Sequence, residues 1–294
     1  MTKHDIGREF SHIHIPKCGG SWVHNFFKHA YPANLIHSSH GTLSNVMPPF
    51  WMAWNRKVGP MKSGHPMFDV DWSKESVEKF SADLRLPPPQ YPGRFANSIR
   101  FSTSRNPFDW LVSYHYSNFD RVNDTHGIRS FQEFVEKFCD PTFRWWHYGL
   151  HQFMFYQMLD HEGAPAVHWV LRMENLKKAI DAMLLNHGAD PVYLQERWTT
   201  FGTHTKRTKG NATSSREHTD HRFYYDDRLR EIATTRFAPE LSTLHYDFDG
   251  PTAHPIVIRT SLKDDGNIKQ AEIAASTGLI HLGVADYEKI RHGN

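Results

Sequence analysis

The stretch Phe10-Ser-His-Ile-His-Ile-Pro-Lys-Cys-Gly-Gly-Ser-Trp22 decides the fold. Ile13 and Ile15 fall on one face of a short run that stops at Pro16, which predicts a strand ending in a turn. After Gly19-Gly20 the apolar positions Trp22, Val23, Phe26, Phe27 and Ala30 recur at helical spacing, and Pro32 closes the segment. The order is strand, glycine-containing loop, helix. Such a handover aims free backbone N–H groups and the helix dipole at one spot, a ready anion site, to which Lys17 adds a full charge. Glycines at these positions let the backbone wrap a phosphate closely. The plainer reading of this segment alone is an ordinary strand-to-helix turn with a surface lysine. A Walker A loop is excluded, because Lys17 precedes the glycines instead of following them.

Two further crossings of the same kind lie downstream. Ser98–Ser104 is rich in β-favouring residues, and Arg105-Asn106-Pro107 follows, with Pro107 suited to the first position of a helix running through Tyr116. Ala166–Arg172 then leads into Glu174–His187, where Leu176, Ile180, Met183 and Leu184 keep helical spacing and Gly188 is the stop. Alternation of this kind predicts an α/β domain with a central parallel sheet flanked by helices. Residues 31–98, interrupted by Pro48, Pro49, Pro60, Pro66, Pro87–Pro89 and Pro92, read as an irregular excursion with one helix near 73–85. Residues 203–222 read as a basic loop, 223–237 as a helix through Tyr225, Leu229, Ile232 and Phe237. The division is therefore a domain over 1–250 and a C-terminal extension over 251–294, with a short strand at 256–258 and an Ala-rich helix near 268–276.

Composition bounds the function. The 294 residues are 39% hydrophobic and 14% aromatic, enough for a sizeable core, which excludes a disordered chain. A net charge of +2 is too balanced for a protein that grips duplex nucleic acid, so any anion site is local. The 22 His add positive charge as pH falls through the imidazole range. Cys18 and Cys139 make no disulfide framework, although one bridge between them is compatible with the count. The N-terminus lacks a signal-like apolar stretch, and no window approaches the roughly 18 apolar residues of a membrane helix, so a cytoplasmic protein without membrane contact is expected. The triplets Asn123-Asp-Thr125 and Asn211-Ala-Thr213 are read as chance.

Pro16-Lys-Cys-Gly-Gly-Ser-Trp22 resembles the phosphosulfate-binding loop of sulfotransferases that use 3′-phosphoadenosine-5′-phosphosulfate (PAPS). His14–Ser21 is similar to the glycan-modifying branch, and Trp22 to the cytosolic branch, where that tryptophan stacks on adenine; a core aromatic is the alternative for Trp22. Arg105-Asn-Pro-Phe-Asp-Trp-Leu-Val-Ser113 looks like the family's 3′-phosphate signature, with Ser113 eight positions after Arg105. The chemistry agrees, since an Arg at a strand end can fork onto a phosphate and a Ser two turns into the following helix can donate to the same group. Arg172-Met-Glu-Asn-Leu176 follows the family order and is read as structural. Lys209-Gly210 resembles part of the late loop that closes over the nucleotide; a solvated basic loop is the alternative.

The resemblance implies a P-loop-like three-layer fold, and a reaction in which the sulfuryl group passes from PAPS to a hydroxyl or amine of a small-molecule or saccharide acceptor, without a metal. Lys17 would stabilise the leaving oxygen, backbone N–H groups of Gly19, Gly20, Ser21 and Trp22 beside Cys18 would hold the 5′-phosphate, and Arg105 with Ser113 the 3′-phosphate. Acceptor deprotonation calls for a general base. His65, in a Gly-His segment that resembles the catalytic segment of uronyl 2-O-sulfotransferases, is the first choice; His12, His14, His37, His40, His115 and His147 compete, and Asp69 or Asp71 would serve if the base is a carboxylate. Trp51, Trp54, Trp72, Trp145 and Trp146 are either acceptor-stacking or core residues. The competing functions are a Mg-ATP-dependent P-loop phosphotransferase and a non-catalytic nucleotide-binding module.

Overall fold

A computed structural model describes residues 6–40, 97–118, 122–140, 158, 167–205, 216–252, 257–260 and 280–282. The chain runs β1 (Phe10–His14), α1 (Gly20–Ala30), β2 (Leu35–His40), β3 (Ile99–Ser104), α2 (Pro107–Tyr116), α3 (Val122–His126), α4 (Phe131–Cys139), β4 (Trp169–Arg172), α5 (Leu176–Asn186), α6 (Pro191–Thr205), α7 (Asp227–Arg236), α8 (Ala238–Thr243), β5 (Val257–Thr260) and β6 (Ile280–Leu282). The strands form one sheet in the order β2-β1-β3-β4-β5-β6. The first four are mutually parallel, with His12 opposite Phe101 and Ser102 opposite Val170. β5 runs antiparallel to β4, so the all-parallel sheet expected from the sequence is corrected to a parallel core with an antiparallel addition. Both β5 and β6 come from the segment 251–294.

Strand alternation puts successive side chains on opposite faces, and two cores result. Phe10, Phe101, Trp169 and Leu171 pack under α1, α5 and α6 with Val23, Phe26, Ile180 and Trp198. Ile13 and Val170 face the other way, onto Trp110, Leu111, Phe134, Phe138 and Phe237 of α2, α4 and the α7–α8 junction. Helices thus cover both faces, and each large apolar side chain so buried contributes roughly 1.5–3 kcal/mol.

Several boundaries differ from the sequence expectation. β2 lies where irregular chain was expected. A single turn of tighter helix, Met173–Asn175, precedes α5, so the helix starts at Leu176 and not Glu174. The helix expected over 223–237 is shorter, Asp227–Arg236, because the Asp226 carboxylate accepts the N–H of Leu229 at 2.7 Å and caps it there. α6 was not foreseen and reaches Thr205, three residues into the expected loop. The helices near 73–85 and 268–276 lie outside the described residues. Among those residues, no helix is long and apolar enough to cross a membrane.

Candidate anion-binding site

The turn between β1 and α1 holds its backbone in an unusual state. Lys17 has φ 64° and Gly19 φ 80°, both left-handed, a region non-glycine residues rarely occupy. The Cys18 N–H donates to Ile15 O at 3.3 Å, and the N–H groups of Trp22 and Val23 donate to Gly19 O at 3.0 and 3.2 Å. The N–H groups of Gly19, Gly20 and Ser21 find no acceptor among the described residues. Three adjacent unspent donors at the start of an eleven-residue helix are groups of the kind that can hold an anion. The expected cradle therefore shortens by one residue, because the Trp22 N–H closes the first turn of α1.

The two glycines serve different needs. Gly19 supplies the left-handed N-cap, and a Cβ there would also stand 3.1 Å from Leu176 Cδ2. At Gly20 a Cβ would stand 1.8 Å from His14 Cδ2, so the imidazole of His14 fills the space a side chain would need. The absence of a side chain at Gly20 thus admits a neighbouring ring of β1, an approach the sequence reading assigned to the phosphate.

Lys17 is half-buried, and burial followed by the nearby Arg105 charge pushes its ammonium pKa down. A partly dehydrated cation beside the unspent donors attracts an anion more strongly than a solvated one. The Cys18 thiol is fully buried in the α2–α4 core, and burial pushes its pKa well up. Cys18 and Cys139 are both free thiols.

The β3–α2 crossing is bonded directly to this loop. Arg105 Nη1 donates to Lys17 O at 3.0 Å, its Nε donates to Asp109 Oδ2 at 2.6 Å, and Trp110 Nε1 donates to Pro16 O at 2.8 Å. Asn106 caps α2, accepting the Phe108 N–H at 3.0 Å, with Pro107 behind it as expected. Ser113 lies one turn beyond Asp109 on the same helix face and is 4% exposed. Lys17, Arg105 and the glycine loop are thus brought together, with Ser113 on the adjoining helix.

Arg216 is a residue the sequence reading missed. Its Nη2 donates to Asp109 Oδ1 at 2.8 Å, which puts two guanidiniums on the two oxygens of one carboxylate. Burial raises the Asp109 pKa, but the charges and hydrogen bonds of Arg105 and Arg216 outweigh it and hold the carboxyl below its ordinary value. The available signal was the basic stretch 203–222, within which Lys209 and Gly210, selected by resemblance, lie outside the described residues.

Trp22 stacks on Trp198 of α6 with centroids 5.3 Å apart, and Phe201 meets it edge-on at 5.4 Å. One ring face is therefore packed against α6, which favours the core reading of this residue. Among the expected bases, His65, His147, Asp69 and Asp71 lie outside the described residues, as do Trp51, Trp54, Trp72, Trp145 and Trp146. His12 and His14 are buried on the sheet with rings stacked 5.3 Å apart, and His12 also stacks on Phe101. His115 packs among Tyr116, Phe131 and Phe134, its Nδ1 lies 3.3 Å from Asn123 Oδ1, and burial pushes its pKa down. His37 and His40 lie on β2, the latter paired in register with His14.

The β4–α5 crossing completes the surroundings. Glu174 accepts the Asn106 N–H at 2.8 Å through Oε1 and the Tyr246 hydroxyl at 2.9 Å through Oε2, while Asn106 Nδ2 donates to Asp247 O at 2.9 Å. Arg172 donates to the carbonyls of Leu244 and His245 and lies over the Tyr246 ring. Comparison of the chain with protein-family models, curated proteins and solved structures gave no match.

Proposed function

We propose that this protein is a PAPS-dependent sulfotransferase with a P-loop-like fold, transferring a sulfuryl group to a hydroxyl or amine of a small-molecule or saccharide acceptor. The observation that carries the reading is the unspent N–H row of Gly19, Gly20 and Ser21, flanked by Lys17 and tied through Lys17 O to Arg105. That donor set fits a phosphate group: three backbone donors at a helix start, one ammonium and one guanidinium. The donor nucleotide supplies an activated sulfur whose S–O bond to the bridging oxygen breaks as the acceptor oxygen attacks.

The chain's own groups do the positioning. Gly19, Gly20 and Ser21 hold the 5′-phosphate by their N–H groups, and Lys17 neutralises the charge that builds on the bridging oxygen. Arg105, fixed by Asp109, presents its remaining terminal nitrogen to the 3′-phosphate, with the Ser113 hydroxyl as second donor. His65 takes the acceptor proton.

Calorimetric titration with 3′,5′-adenosine bisphosphate, without magnesium and beside Mg-ATP, tests the reading. Micromolar binding is expected, weakened about tenfold or more in Arg105→Ala and about fivefold in Ser113→Ala, the milder variant that leaves the Lys17 brace intact. Absence of binding, or preference for Mg-ATP, would point to a phosphotransferase or to another anion altogether.

A further inference from the structure

We infer that Trp110 is a positioning residue for Lys17: its buried indole N–H holds the Pro16 carbonyl, and with it the left-handed backbone that sets where the Lys17 ammonium stands beside the Gly19–Ser21 N–H row. The inference rests on the proposed function for the role of that ammonium, and it gives Trp110 a part that the nucleotide contacts do not include.

A φ of 64° is unfavourable for lysine, because in the left-handed region Cβ crowds the following carbonyl oxygen, so the surroundings must hold the residue there. Each peptide group is planar, and the conformation at Lys17 is therefore fixed once the peptides on its two sides are fixed. The peptide before it carries Pro16 O, which accepts the Trp110 indole N–H at 2.8 Å. The Pro16 ring already restricts its own φ, so the bond from Trp110 settles the rotation that remains. The peptide after it is held at both ends: Lys17 O accepts from Arg105 Nη1 at 3.0 Å, and the Cys18 N–H donates to Ile15 O at 3.3 Å.

Trp110 is itself immobilised. Its ring is fully buried, and Tyr114, Phe138 and Phe237 meet it edge-on with centroids 5.4, 5.7 and 6.2 Å away. Its backbone N–H donates to Asn106 O at 2.8 Å in the first turn of α2. An indole N–H can only donate, and buried here it needs an acceptor as much as the Pro16 carbonyl needs a donor. The lysine stem is long and flexible, so what the fold can fix is the place where the stem begins. Trp110 thus passes the rigidity of the core to the one residue of the loop that carries a charge.

Two variants separate this role from packing. Trp110→Phe removes the N–H and keeps an aromatic ring, whereas Phe138→Leu loosens the same core and keeps the N–H. In calorimetry on the full chain, Trp110→Phe should weaken 3′,5′-adenosine bisphosphate about fivefold in the wild-type background and less than about twofold in Lys17→Ala, where the residue it acts through is gone. Phe138→Leu should lower the urea midpoint and leave affinity within about twofold of wild type. A second readout needs no nucleotide: nuclear magnetic resonance titration of the Lys17 side chain. Burial and the Arg105 charge hold its pKa below the ordinary 10.5, and Trp110→Phe should return it toward that value while Phe138→Leu should not. Should Trp110→Phe fail to fold, 3-benzothienylalanine at position 110, which has the shape of tryptophan with sulfur in place of the N–H, carries the same comparison. Equal weakening in both backgrounds, or an unmoved Lys17 titration in a folded variant, would overturn the tether. A wild-type protein that binds no bisphosphate would overturn the proposed function instead, and the Lys17 titration would still decide the tether.

Discussion

The β1–α1 and β4–α5 crossings occupy equivalent places, each leading from the end of a parallel strand into a helix, yet they treat their polar groups in opposite ways. In β4–α5 both Glu174 oxygens and Arg172 Nη2 have partners within the protein. In β1–α1 three successive N–H groups are unspent, and the backbone takes two left-handed residues to present them. The β3–α2 crossing lies between and is bonded to both, through Arg105 to Lys17 O and through Asn106 N to Glu174. On the proposed function the first crossing is the site and the second its brace, a distinction that strand-to-helix topology alone does not make.

That contrast breaks most sharply at Glu174. Glu174→Ala leaves the Asn106 N–H and the Tyr246 hydroxyl without an acceptor, and urea unfolding should show a loss of about 3 kcal/mol. Bisphosphate affinity at saturating fold should change far less, since the carboxylate touches no part of the proposed site. At Gly20 the added methyl group of Gly20→Ala must displace the His14 ring, and a loss of about 2 kcal/mol is expected. Here, unlike at Glu174, anion binding should fall with stability, because the displaced backbone carries the unspent donors.

The smallest effect concerns acid. The Asp109 pKa is lower folded than its ordinary value of 3.8, so the carboxylate contributes stability that is fully present above that value and is lost as pH falls through the folded value. Urea midpoints measured from pH 6 downward should decline less steeply below pH 4 in Asp109→Asn than in wild type. Identical acid limbs would show that the two Arg partners do not stabilise the carboxylate.

Much of this contrast was legible in the sequence. The strand-loop-helix order at Phe10–Ala30, the Pro107 helix start and the strand at Trp169–Arg172 follow from periodicity and from Gly and Pro placement, which are local signals. α6 escaped because its face is mixed, although Asp190-Pro191 is a helix start: Asp190 Oδ1 accepts the N–H groups of Val192 and Tyr193 at 2.8 and 2.9 Å. β2 escaped because Leu35-Ile-His-Ser-Ser-His40 is mostly polar and is set by pairing with β1. The antiparallel sense of β5 and the meeting of Arg216 with Asp109 are long-range facts that a local pattern does not encode. Gly20 was read as a phosphate glycine because sequence shows a missing side chain but not the neighbour, His14, that takes its place.

The most direct test is residue-resolved: amide resonances of the isotopically labelled protein followed during titration with 3′,5′-adenosine bisphosphate. The largest shifts are expected at Gly19, Gly20 and Ser21, with smaller ones at Lys17, Arg105 and Ser113, and the amides of Met173 to Leu176 should hardly move. Shifts centred on Met173–Leu176, or none at the glycine loop under saturating ligand, would contradict the assignment of the first crossing as the site and the second as its brace.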